Sequence, residues 1–126
     1  MLLLCAPTSG TSLSPTALNT TPTRYDGTDV QVDGFLIFTP QGHVLYDSIE
    51  TYRLADGLTE KTDISAFERA CVTVVIPGSL ERQAHGLSKR PVTAFGRFRA
   101  SYASWDTIAH GCMKKTALFV TKLRAG

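Results

Sequence analysis

Val30-Gln31-Val32-Asp33-Gly34-Phe35-Leu36 and Val92-Thr93-Ala94-Phe95-Gly96-Arg97-Phe98 share one form: apolar, x, apolar, x, Gly, x, apolar. A period of two residues is that of a half-buried strand, because successive side chains point to opposite faces of a sheet. Glycine inside such a strand marks a bulge or a sharp bend at a barrel corner. Two bent strands at this separation, with strand-like runs around them, predict a small closed barrel.

Working outward, strand 1 is expected over about Val30 to Thr39, stopped by the turn Pro40-Gln41-Gly42. His43 to Asp47 follows as the second strand of a hairpin. A helix begun at Ser48 places Ile49, Tyr52 and Leu54 on one side, and Gly57 stops it; Ser65-Ala66-Phe67-Glu68 has the spacing of a capping box and predicts another turn or two. Strand 3 is Cys71 to Ile76, with Val72, Val74 and Ile76 on one side and Cys71, Thr73 and Val75 on the other. Ser79 as N-cap and Gly86 just past the end bracket a short helix. Val92 to Ala100 is the fourth strand and Ala117 to Leu123 the fifth.

The N-terminal 28 residues differ in kind, being dense in Thr, Ser and Pro, with Leu13 and Leu18 isolated and no apolar period. Ala6 to Thr28 is therefore expected to be a leader or linker without packed structure. Met1-Leu2-Leu3-Leu4-Cys5-Ala6-Pro7 resembles the end of a secretory hydrophobic segment lacking its basic start, so export is expected. Lipid attachment at Cys5 is disfavoured, because Leu4 is not the small residue such a site requires. Residues 29–126 then form the folded domain.

The chain has 126 residues, 43% of them apolar, which fits one globular domain with a core. Net charge is +2 and the sequence pI about 8.5, short of the basicity of a dedicated nucleic-acid domain. No apolar run reaches the roughly 18 residues that a transmembrane helix needs.

This order of elements carries a resemblance. A first strand with Gly34 in its middle, a second ending in Leu45-Tyr46-Asp47, an apolar third, a short connection, Lys89-Arg90-Pro91-Val92-x-Ala94-x-Gly96, and a final Leu118-x-Val120-x-x-Leu123 are similar to the OB-fold pattern over about Asp29 to Leu123. The resemblance implies an all-β, five-stranded OB-like Greek-key barrel with one or two short helices. It further implies binding on the outer face of strands 2 and 3 and on the loops joining strands 1 to 2 and 4 to 5. The chain also resembles small exported bacterial proteins of uncharacterised function that join such a barrel to a leader and a third-strand cysteine. The stretch from Ser48 to Ala70 is longer than a minimal barrel needs and is expected either to cover part of that surface or to help build it.

With Cys5 assigned to the leader, Cys71 and Cys112 remain, and an even pair in an exported chain reads as one disulfide. Two reduced, buried cysteines acting as small hydrophobes are the alternative. His110-Gly111-Cys112 with Cys71 matches no standard zinc spacing, so no metal site is expected.

Candidate ligand-binding residues are Tyr46, Arg97, Arg99, Tyr102, Trp105, Lys114 and Lys115, since aromatic rings interleaved with cations can hold a single nucleic-acid strand. Against that, Tyr102 and Trp105 are large rings suited to fill the mouth of a barrel, and Asp47, Glu50 and Asp106 dilute a positive field. No catalytic group is assigned: His43, His85 and His110 have no carboxylate or serine at a telling interval, and a Cys112–His110 pair lacks an orienting third group. Pro77-Gly78-Ser79 lacks the glycine spacing and lysine of a phosphate loop, and no cofactor is expected. Two readings result: a non-catalytic, exported binding module for a small molecule, envelope component or protein partner, and alternatively a single-stranded nucleic-acid-binding domain.

Overall fold

The computed structural model describes residues 12–56, 69–102, 112 and 115–126. Five strands, β1 (Asp29–Thr39), β2 (Gly42–Tyr46), β3 (Cys71–Val75), β4 (Arg90–Arg99) and β5 (Ala117–Ala125), make one mixed sheet that closes into a ring. Their order is β1-β2-β3-β5-β4, with β4 returning to β1. All neighbours are antiparallel except β3 and β5, which run parallel.

The two repeated segments turn out to be partners. β1 and β4 pair antiparallel, setting Val30 opposite Gly96 and Gly34 opposite Val92. Each glycine makes room for a third strand. A methyl group at Gly34 would lie 2.5 Å from the Tyr46 carbonyl oxygen and 2.7 Å from Leu45 Cγ. One at Gly96 would lie 2.1 Å from the Phe119 carbonyl oxygen, so only glycine lets β5 approach there. The β4–β5 register also shifts at Phe95/Gly96, from Phe95 opposite Lys122 to Gly96 opposite Val120. Thr121 is the extra residue of this bulge, and its Oγ1 donates to the Phe95 carbonyl at 3.2 Å.

Inward-facing residues recur as the alternation predicts. Val32, Leu36 and Phe38 of β1 meet Leu45, Val72, Val74, Val92, Ala94, Phe98, Leu118, Val120 and Leu123 in one core. β1 departs from simple alternation in its second half, where Phe35, Leu36, Ile37 and Phe38 are all buried. Both faces of the sheet are therefore covered at this point.

The expectation of an unpacked leader up to Thr28 is corrected for residues 12–28. Leu13 bridges Val32 in parallel, its N–H donating to the Gln31 carbonyl at 2.8 Å and its carbonyl accepting from Asp33 N at 2.9 Å. Helix α1 (Pro15–Thr20) then starts on Ser14, whose Oγ accepts from Ala17 N at 3.1 Å, with Pro15 at a position where no N–H is missed. Leu18 has no exposed surface and belongs to the core. Asn19 ties three segments together: Nδ2 donates to the carbonyls of Arg69 (2.9 Å) and Cys71 (2.7 Å), and Oδ1 accepts from Thr116 Oγ1 (2.8 Å). A short α2 (Pro22–Tyr25) leads into β1. Composition missed this segment because a single leucine and an asparagine, rather than a period, anchor it.

Helix α3 (Ile49–Asp56) begins where expected, Ser48 Oγ accepting from Thr51 N at 3.2 Å. Gly57 and the capping-box helix at Ser65 lie outside the described residues. After β3, a 3-10 turn (Gly78–Leu80) precedes α4 (Glu81–Leu87). Ser79 is not the cap that was expected: Leu80 holds that position without a side-chain bond, and Gly86 lies inside the helix. The turn satisfies its own backbone, Leu80 N donating to the Pro77 carbonyl at 2.9 Å, and so replaces a serine cap.

Candidate functional site

The outer side of β2 and β3 is filled around Cys71 and Tyr46. Cys71 and Cys112 form a disulfide with their Cα atoms 5.8 Å apart, which settles the choice between bridged and reduced cysteines. Cys112 lies against this wall: its N–H donates to Thr73 Oγ1 at 2.9 Å, and it clusters with Val44, Cys71 and Tyr46. Thr73 is 2% exposed. Farther along, Tyr52 of α3 touches both Phe35 and Tyr46, with ring centres 5.5 Å apart in each case. Tyr46, expected on an open ligand face, is instead half-buried between α3 and the disulfide. The surface that the resemblance implied for binding is thus covered at these positions by the protein's own residues.

The outer side of β4 and β5 is exposed at Arg97, Arg99, Lys122 and Arg124 and half-buried at Phe95 and Phe119, whereas Thr93 and Ala117 on the same side are buried. Register places Thr93 opposite Arg124, Phe95 opposite Lys122, Arg97 opposite Phe119, and Arg99 opposite Ala117. Arg97 and Arg99 are exposed as expected, but each is matched by a carboxylate: Arg97 Nε lies 3.5 Å from Asp29 Oδ1, and Arg99 Nε lies 3.5 Å from Asp26 Oδ1. The same Asp26 oxygen also accepts from Ala100 N at 2.9 Å. Exposed pairs of this type contribute little to stability, about 0–1 kcal/mol. Their larger effect is to neutralise this end of the face.

At the other end the cations are gathered rather than matched. Lys122 Nζ and Arg124 Cζ each lie 5.3 Å from the centre of the Phe95 ring, within the range of a cation–π contact. Among the described residues neither makes a salt bridge. The strand on the far side of β4 places neutral Gln31 opposite Phe95, and Asp33 opposite Thr93. Asp33 Oδ1 accepts from Thr93 Oγ1 at 2.6 Å.

A third feature is a cavity of about 440 Å³ at the β1–β2 turn, bordered by Phe38, Pro40, His43, Ile76, His85 and Tyr102. The Phe38 ring is in contact with both His43 (ring centres 4.9 Å) and His85 of α4 (4.8 Å). Two histidines distant in sequence are therefore brought to one ring. Among the described residues, no group of three or more His, Cys, Asp or Glu side chains is arranged to hold a metal ion. Cys71 and Cys112 are bonded to each other, so neither is available for the thiolate roles weighed in the sequence.

Of the other candidates, Tyr102 packs edge-on against Phe119 (4.8 Å) and its N–H donates to the Lys115 carbonyl at 2.6 Å, so these two are neighbours at the β5 entry. Trp105, Lys114, Asp106 and His110 lie outside the described residues. Phe95, Phe119, Lys122 and Arg124 were missed. Phe95 was legible, since it shares the outward parity of Thr93, Arg97 and Arg99; Lys122 and Arg124 were not, because the bulge at Thr121 changes the parity of β5. No helix among the described residues is long and apolar enough to cross a membrane. Compared with protein-family models and with curated proteins, the chain matches none.

Proposed function

We propose that the chain is an OB-type Greek-key barrel serving as an exported, non-catalytic binding module, with the outer face of β4 and β5 as its working surface. The carrying observation is the contrast between two walls of one ring: β2–β3 is covered around Cys112 and Tyr46, whereas β4–β5 exposes Lys122 and Arg124 beside the half-buried Phe95. The strand order β1-β2-β3-β5-β4 with a parallel β3–β5 pair supports the OB reading. A disulfide supports an oxidising compartment. The ligand classes in view are a small molecule, an envelope component or a protein partner.

Amide chemical-shift mapping tests the surface. Titration with a fragment library and a soluble acidic polysaccharide is expected to move resonances of residues 93–99 and 117–124. Perturbations confined to Val44, Tyr46 and Thr73, or to the cavity around Phe38, would sink the assignment. Single-stranded nucleic acid is the second reading, favoured by the rings interleaved with cations on this same face. It requires oligothymidylate binding that weakens steeply with salt, because each neutralised phosphate releases counterions.

A further inference from the structure

We propose that the Lys122–Phe95–Arg124 cluster is a docking point for an acidic segment of a partner protein. The inference rests on the β4–β5 face being the working surface, and it names what that face recognises. Charge on the face is divided along its length. Arg97 and Arg99 are compensated by Asp29 and Asp26, whereas Lys122 and Arg124 converge on one ring with no carboxylate in a salt bridge with them among the described residues. The ring holds both cations close by attraction to its π face, so part of the ordering of two long side chains is done before a ligand arrives. An arginine so placed suits a carboxylate, which it can grip through two parallel N–H bonds.

The same division disfavours a nucleic-acid strand. Affinity for such a strand grows with the number of phosphates neutralised in a row. Here a strand following β4 beyond the cluster would meet Asp29 and Asp26 beside the arginines, and their charge repels a phosphodiester backbone. A short acidic segment needs only the Lys122–Arg124 end, where the nearby Asp33 carboxylate is engaged by Thr93 Oγ1. An aromatic and an arginine at the centre, with exposed ion pairs towards one side, is the anatomy of a protein-docking surface.

Fluorescence anisotropy with a labelled oligoglutamate peptide and an oligothymidylate of equal charge tests this at low salt. The wild-type chain is expected to bind the peptide more tightly than the oligonucleotide. Lys122→Gln combined with Arg124→Gln should weaken peptide binding about tenfold or more, as loss of a matched charge pair does. Lys122→Arg should retain it, and Arg82→Gln, an exposed cation on α4, should leave it unchanged. Equal peptide affinity of the double variant and the wild type, or no peptide binding at low salt, overturns the proposal. Tighter oligonucleotide binding with a steep salt slope overturns it in favour of nucleic acid. Shift mapping of the same peptide separates this failure from that of the surface: shifts on β4–β5 that persist in the double variant remove only the charge argument, and shifts elsewhere remove the face.

Discussion

Gly96 shows most plainly how one residue serves the whole ring. Its missing side chain lets the Phe119 carbonyl approach to where a methyl group would be 2.1 Å away, and the β-bulge sits at the same point. Gly96→Ala is therefore expected to cost about 1–3 kcal/mol or more, since the obstacle is backbone and cannot rotate aside. Urea denaturation measures it; a cost below the error of the midpoint would mean that β5 shifts freely. That glycine mattered at this position was legible in its strand pattern. Which carbonyl it faces was not, because no local signal in β4 names the strand that will pack beside it. Phe95 follows the same logic: its outward direction can be counted from Val92 and Ala94, yet the cations that reach it come from a strand whose parity is broken at Thr121.

Among the elements, strands were far more legible than helices. β1, β2, β3, β4 and β5 lie within two residues of where alternation and turn chemistry place them. α1 was invisible to that reasoning, because one turn and a half of helix offers no period to detect. Its signals were single residues: Ser14 before Pro15 as a start, and Leu18 as a lone apolar residue that must go somewhere. Leu18 is fully buried in the shared core, so Leu18→Ala should destabilise the entire fold by about 2–5 kcal/mol. Thermal unfolding would show one transition at lower temperature. An unchanged midpoint would mean that α1 packs without contributing to the core. The candidate surface failed for a related reason: Tyr46 has the same sequence appearance whether it faces water or Tyr52, and only the placement of α3 decides.

On the scale of the molecule, the disulfide joins positions 41 residues apart and holds Cys112 against the β2–β3 wall. Loop-closure entropy puts its contribution at about 4 kcal/mol. Cys112→Ser, or reduction with a dithiol, is expected to lower the free energy of unfolding by about that amount while leaving β-sheet circular dichroism in place. Loss of the sheet signal on reduction would show that the bridge, and not the core, maintains the ring. The pairing of the two cysteines was inferable from their number and its attachment to the third strand from the place of Cys71, whereas the covering of Tyr46 beside it was not. The position of β5 has a separate bearing on how the chain assembles. β1, β2 and β3 follow one another as antiparallel neighbours and pair from adjacent stretches of chain, but β5 must fit between β3 and β4, parallel to one and antiparallel to the other. Leu118, Val120 and Leu123 of β5 complete the core around Leu36, Leu45, Val72 and Val74, which lose that cover in any chain whose β5 is undocked. Pairings between strands this far apart in sequence, β3 with β5 and β1 with β4, favour slow folding, and until they form the apolar residues they cover are open to aggregation.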